Sequence, residues 1–392
     1  MKLKACLIFG FFVPFTSQAH EVEGIAARPD SVEVRTAITY RSEDAFSDTE
    51  IWQFPGVLLG GEALPVEKGI TLDDVQLLGH LNIKDDYFIS TKVGAHSHSG
   101  ESELELENLW FGTRSSIAEQ PLLFEVGKMA TEVTLTANFH ASDDVFSEAP
   151  LLADVFFGRH SRDLGARARI RLMGIDFGAE LWNGDNWPAT SGEGAAALFA
   201  HYQYEHDGIN ATLGSWLMHS RAENRVDERY SDGHSHGDQD LTASDLSFSG
   251  DTTMVGAFAN LEWQLNPITL HADVEWIRAD FDADLADTTQ TAVLDATQDG
   301  YKFQVGVSLD NHTLQAKYER LVVDNRFTET SQTFIQQSGL FNNDHEPAKA
   351  AVAWIWQFHQ DFRFRTEWYQ DDTQEEGVSR WSVGLVWHYK LL

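Results

Sequence analysis

Two short stretches carry paired imidazoles. In residues 94–103, GAHSHSGESE, His96 and His98 stand one residue apart with Glu101 and Glu103 close behind. In residues 232–240, DGHSHGDQD, His234 and His236 repeat the device among Asp232, Asp238 and Asp240. On extended backbone an H-x-H pair places both rings on one face, about 7 Å apart. Imidazole suits zinc, copper or nickel, and a carboxylate can complete the shell. Two histidines alone make a weak, exchangeable site, and Gly/Ser/His/Asp runs also arise as plain solvated loop. A second kind of chemistry lies in rows of guanidinium groups. In GARARIRLMG the alternating residues are Arg167, Arg169 and Arg171, and Arg363 and Arg365 form a shorter row. Such rows either set the electric field inside a pore or neutralise carboxylates on facing strands, here Asp176, Glu180, Asp273 and Glu275. Both readings stay open at this point.

The elements that would hold these groups read as strands. In SVEVRTAITY, Val32, Val34, Thr36, Ile38 and Tyr40 share one face, and Glu33 and Arg35 the other. Val255, Ala257, Ala259, Leu261 and Trp263 alternate in the same way. So do Ile268, Leu270, Ala272, Val274 and Trp276 after a turn at 265–267, and Trp381 to Leu391 near the C-terminus. The pattern gives about 16 strands of roughly 9 to 13 residues, long enough to cross a bilayer when tilted. Short turns near 84–86, 174, 205–208, 265–267, 310–312 and 359–361 alternate with longer polar loops. The loops are placed near 41–71, 97–101, 130–164, 184–194, 220–250, 279–298, 324–346 and 372–377. Short turns on one side and long loops on the other describe an all-β transmembrane antiparallel barrel, with periplasmic turns and extracellular loops.

Composition agrees. A mean hydropathy of -0.31 is what a barrel shows when half of every strand faces a polar lumen. Twelve tryptophans suit the two membrane–water interfaces. Residues 1–19 read as a secretory signal peptide, with Lys2 and Lys4 before an apolar run and Ser17 and Ala19 at the cleavage positions. It takes with it the only cysteine, Cys6. Residues 20–392 are then one outer-membrane barrel of a Gram-negative cell. The net charge of -33 excludes nucleic acid as a partner and favours divalent cations, including those that bridge lipopolysaccharide. No G-x-S-x-G or His-Glu-x-x-His motif is present, so an enzyme is not expected.

If the apolar set faces lipid, the arginine rows line the lumen. The third long loop, 130–164, is the candidate constriction loop, bringing Arg159, His160 and Arg162 with Asp143, Asp144 and Glu148. The stretch around Gly127–Lys128, Asn138, His140, Phe146, Pro150, Asp163, Gly165 and Arg167 resembles the phosphate-selective porin O and P superfamily. Within that superfamily it is most similar to a His-rich branch of zinc-regulated outer-membrane proteins. The similarity covers about residues 104–225. It implies an outer-membrane barrel whose expression is tied to zinc supply.

These readings point to a porin-like channel for passive uptake of small hydrophilic solutes or ions. Selectivity would be set by Arg159, Arg162, Arg167, Arg169, Arg171, Arg363 and Arg365. His96, His98, His234 and His236 would collect zinc at the mouth, with no cofactor required. Lipid, lipopolysaccharide and small solutes are the expected partners, and a homotrimer is an assembly such a barrel can adopt. The rival reading is a surface metal-binding or adhesion protein whose plugged barrel only anchors its loops.

Overall fold

A computed structural model of the chain describes residues 25, 27–45, 53–61, 63–84, 86–98, 101–226, 246–287, 289–341 and 344–392. The expected signal peptide, His234 and His236 lie outside the described residues.

Alternating apolar residues become strands because one face can meet hydrocarbon while the other meets water. Sixteen form: β1 (Ser31–Arg41), β2 (Gly69–Ile83), β3 (Tyr87–His98), β4 (Glu101–Ile117), β5 (Gln120–Ala130), β6 (Arg162–Leu172), β7 (Ile175–Trp182) and β8 (Ala195–His206). They continue as β9 (Ile209–Val226), β10 (Ser247–Leu265), β11 (Ile268–Ala286), β12 (Thr291–Leu309), β13 (His312–Thr328), β14 (Ala348–His359), β15 (Phe362–Asp372) and β16 (Val378–Lys390). Each pairs antiparallel with its sequence neighbour, and β1 closes on β16 from Glu33↔Lys390 to Arg41↔Ser382. Closure leaves no sheet edge for lipid to meet.

The long connections differ from the sequence reading in three places. The stretch expected as a loop at 97–101 lies largely within strands, with β3 running to His98 and β4 beginning at Glu101, residues 99–100 being outside the described ones. The stretch expected at 279–298 is strand as well, leaving only 287–290 between β11 and β12. In the 220–250 stretch, β9 runs on to Val226 and β10 starts at Ser247. Strand length therefore exceeds the expected range: β10, β11 and β12 have 19 residues each, whereas about 9–11 cross a bilayer.

The reason is visible along β11. Leu270 and Val274 are exposed on the outside, and Asp273 and Glu275 are buried inside. Beyond Trp276 the pattern inverts with no register shift. Ile277, Ala279, Phe281, Ala283 and Leu285 are buried, while Asp280, Asp282 and Asp284 are exposed. The outer face has left hydrocarbon for water, and Trp276 pairs with Tyr301 of β12 at that boundary.

The expectation of a polar lumen therefore fails for the extracellular half. There the inner wall joins one apolar cluster with Phe54, Val57, Leu58 and Leu59 of the first loop. Leu152, Val155, Phe156 and Phe157 of a helix, α1 (Leu151–Phe157), belong to the same cluster, as do Trp187, and Phe334 of α2 (Gln332–Gln337). The first and third loops cross by backbone contact: a Cβ at Gly158, whose φ is +56, would lie 2.8 Å from the Gly60 carbonyl oxygen. Lower down, inner aromatic rings lie over glycines of the next strand, as Phe258 does over Gly214.

Because Phe281 faces this packed interior and Arg278 faces solvent, their truncations should part company. Phe281→Ala is expected to cost about 3–5 kcal/mol, and Arg278→Ala to stay within about 0.5 kcal/mol. Urea midpoints of the refolded protein in detergent check this; equal midpoints would contradict an apolar cap.

Candidate functional site

The 131–161 loop supplies the lumen's contents. It leaves β5 at Ala130, returns to β6 at Arg162, and is the third extracellular connection, as expected. Most of it is buried, with Val133, Phe146, Leu152 and Phe157 each at 0 % exposure. Its inward fold follows from its sequence: apolar residues seek the wall, and its polar backbone requires partners once out of water.

One arm docks on β5–β8 and β11–β12. Thr131 Oγ1 donates to Glu180 (2.5 Å), and the Glu132 backbone N–H donates to the same carboxylate (3.0 Å). Arg167 donates to the Ala130 carbonyl (3.0 Å) and bridges Glu125, Glu132 and Glu180 at 2.9, 3.2 and 3.2 Å. Arg169 reaches Glu132 (2.6 Å) and Glu125 (3.3 Å). The hydroxyls of Thr134 and Thr136 both donate to Glu275, whose charge Lys302 balances together with Asp273.

The middle of the loop docks on the opposite wall. Arg35 pairs with Asp143 (2.7 Å). Gln76 donates to Ser142 Oγ (2.7 Å), and Asp74 accepts from the Ser142 backbone N–H (3.0 Å). Arg363 donates to the carbonyls of Ser142 and Asp144, both at 2.7 Å, and Arg365 to that of Ala141 (2.7 Å). Glu367 accepts from Ser147 N–H (2.6 Å), and Arg380 and Lys349 bridge Glu148 (2.5 and 2.9 Å). Phe146 sits against Ala351, Ala353 and Tyr369, with the Lys317 ammonium 4.8 Å from its ring centre. Between the arms, His140 stacks on His160 (4.9 Å) and lies 3.4 Å from Glu107.

The structure thus brings the arginines named from the sequence to the lumen side, each already engaged. Arg167, Arg169, Arg363 and Arg365 hold the loop. Arg171 pairs with Asp176 (2.5 Å) at the lower end of β6. Arg162 bridges Glu107 (3.2 Å) and Glu105 (3.3 Å). Arg159 pairs with Asp154 (2.9 Å) and donates to the Leu64 carbonyl (2.7 Å), tying the first loop to α1. The neutralising partners Asp176 and Glu180 are those the sequence suggested. Asp273 and Glu275 serve Lys302 instead. Sequence reading missed Glu125, Glu367 and Arg380, though each sits at an inward position of the alternation.

Of the histidines, His271 and His388 line the lumen wall, bonded to Ser308 Oγ (2.8 Å) and the Ser142 carbonyl (2.6 Å). The first His pair lies at the end of β3, where the register sets His96 opposite Glu103 and His98 opposite Glu101. Among the described residues no group of three or more His, Cys, Asp or Glu side chains is arranged to hold a metal ion.

Arg365 is fully buried, so removing its charge takes the donor from the Ala141 carbonyl and weakens the compensation of Asp73 and Glu367. Arg365→Met is expected to unseat the middle of the loop, with a cost of about 3–5 kcal/mol. A spin label at position 145 should then change from immobile to mobile; an unchanged spectrum would contradict the docking role.

No protein-family model matches the chain, and no curated protein matches its sequence. Solved structures do match in shape. OprB of Pseudomonas putida superposes with a TM-score of 0.54 at 8% identity, covering 93% of this chain and 94% of that one. An anion-selective porin from Comamonas acidovorans gives 0.51 at 10% identity, over 92% and 100%. At these identities the likeness establishes the fold. The chain is a closed, 16-stranded antiparallel barrel with the fold of outer-membrane porins.

Proposed function

We propose that the protein is an outer-membrane channel for small hydrophilic solutes or ions, with a bore shaped by the 131–161 loop. The observation that carries this is the docking of that loop across the interior of a cylinder that is apolar outside and polar inside its periplasmic half. There His271, Gln304, Ser308, Thr313 and Arg363 are only partly covered, as a wetted wall requires. The arginines act by fixing the loop. Most of their charges are compensated by carboxylates, so selectivity arises from the shape and residual field of what they hold.

A second reading has its own support. The apolar cluster of α1, α2 and the first loop fills the extracellular half, which favours a plugged barrel that anchors surface loops. Divalent metal, zinc first, belongs to either reading. The β3–β4 register sets two histidines opposite two glutamates on one ribbon end. His234 and His236 would add a second site, and the outer row Asp280, Asp282 and Asp284 would meet cation-bridged lipopolysaccharide just above the Trp276 level.

Planar-bilayer recording of the refolded protein separates channel from anchor. Steady ion current is expected, and silence at every voltage would discard the channel. Calorimetric titration with zinc should show heat that falls by half or more in His96→Ala/His98→Ala; identical isotherms would dismiss the β3 site.

A further inference from the structure

The apolar cluster covers the inner faces of β8 to β13 in the extracellular half, and beyond β13 the packing changes. A recess of about 360 Å³, open to solvent, lies between residues 64–66, the start of α1 and the upper ends of β14, β15 and β16. Leu64, Pro65, Val66 and Leu151 give it apolar surface, and Arg159, Lys349 and Arg380 meet Glu148, Asp154 and Asp371 there. These charges are not equally open. The side chains of Glu148, Asp154 and Asp371 are 1, 7 and 7 % exposed, and each already accepts from the protein. Glu148 takes Arg380 Nε (2.8 Å) and the Lys349 ammonium (2.9 Å), and Asp154 takes Arg159 Nε (2.9 Å) and Nη2 (3.1 Å). Asp371 takes Arg380 Nη2 (2.8 Å) and the Thr373 hydroxyl (2.5 Å). Arg159 and Lys349, 20 and 10 % exposed, are the most open charged side chains of the recess. Among the described residues the ammonium of Lys349 has one acceptor, Glu148, for its three N–H groups. Arg159 spends Nε and Nη2 on Asp154 and the Leu64 carbonyl, which leaves Nη1. An incoming solute therefore meets positively charged donors beside apolar surface.

We propose that this recess binds small monocarboxylates with an apolar body, the carboxylate meeting Lys349 and Arg159 and the body lying against Leu64, Pro65, Val66 and Leu151. A carboxylate accepts charge-assisted hydrogen bonds from both kinds of cation, and the apolar body gains by leaving water. The surroundings limit the ligand to one negative charge. Glu148, Asp154 and Asp371 stand behind the donors, and a second charge would meet their field with no further cation to balance it. Inorganic phosphate, with more charge and no apolar body, fits the recess poorly. The binding stands whether or not the barrel conducts; that such acids are its solutes rests on the channel reading.

The test uses the refolded chain without residues 1–19, in detergent. Benzoate is the probe, benzyl alcohol its neutral counterpart, and inorganic phosphate the polyanion. Calorimetry should show saturable benzoate binding, with benzyl alcohol about tenfold weaker and phosphate silent. Lys349→Gln should weaken benzoate about tenfold by removing the charge, and Leu64→Glu about as much by repelling the carboxylate. Heat-modifiable migration confirms that each variant is folded. Leu64 is half-buried and ties to Arg159 through its backbone carbonyl, so Leu64→Glu carries the test if Lys349→Gln does not fold. Absence of saturable benzoate binding, or one affinity in wild type and folded variants alike, overturns the site. Phosphate binding as tight as benzoate overturns the monocarboxylate class. In bilayers, reversal potentials in benzoate gradients should show benzoate crossing, and crossing less readily through Leu64→Glu. Benzoate that binds but does not cross a conducting barrel overturns its role as solute. A barrel that binds benzoate and carries no current in any variant sinks the channel reading and leaves the site standing.

Discussion

Everything in this molecule depends on closing the hydrogen-bond ladder. In hydrocarbon an unpaired backbone N–H or C=O costs several kcal/mol, so a sheet can cross a membrane only without edges. The β1–β16 register meets that demand, and closure fixes the parity of every strand at once. Once Val34 and Ile38 face lipid, Arg35 and Arg41 must face inward. The same holds around the ring for Glu125, Arg167, Glu275 and Arg365. Charged residues from distant parts of the sequence are thereby pressed into one enclosed volume.

That volume is tolerable only if its charges find one another. A buried ion left without a partner is strongly destabilising, whereas a well-bonded pair roughly balances its desolvation. The 131–161 loop is what makes the balance local. Arg167 touches three carboxylates and a loop carbonyl. Arg363 finds its partners in two loop carbonyls. The loop thus completes hydrogen bonds that the wall alone leaves open, and the wall completes those of the loop. Neither surface suits bulk water or hydrocarbon by itself, which is why this connection folds inward while the residues around it rise outward.

The sequence made much of this legible. Period-two alternation located the strands, turn chemistry located the periplasmic turns, and ordinal position singled out the loop. Two kinds of information were not local. The partner of a lumen arginine depends on which loop residues fold across to it, so Glu132 and Ser142 could not be assigned to Arg167 and Arg363 from spacing. The length of β11 was hidden for another reason. After Trp276 the apolar residues move from even to odd positions, and Asp280, Asp282 and Asp284 take their place outside. Read for a lipid face alone, that change looks like the end of a strand. It is the strand's exit from the membrane.

The inversion at Trp276 explains why the barrel has two unlike interiors. Within the bilayer the outer face must be apolar, so the strand's polar residues go inside, where water and the docked loop satisfy them. Above the bilayer both faces of the extended β10–β13 wall would meet water. A strand with a wet apolar face gains nothing from folding unless that face is covered. The cover comes from α1, α2 and the first loop, which bring Phe156, Phe334 and Leu58 onto Ile277 and Phe281. The cap is therefore assembled like a water-soluble core on the rim of a membrane cylinder, held by apolar burial, whereas the loop below it is held by ion pairs. Salt and pH act mainly on the second, so the cap and the docked segment respond separately even though α1 and that segment belong to one continuous loop.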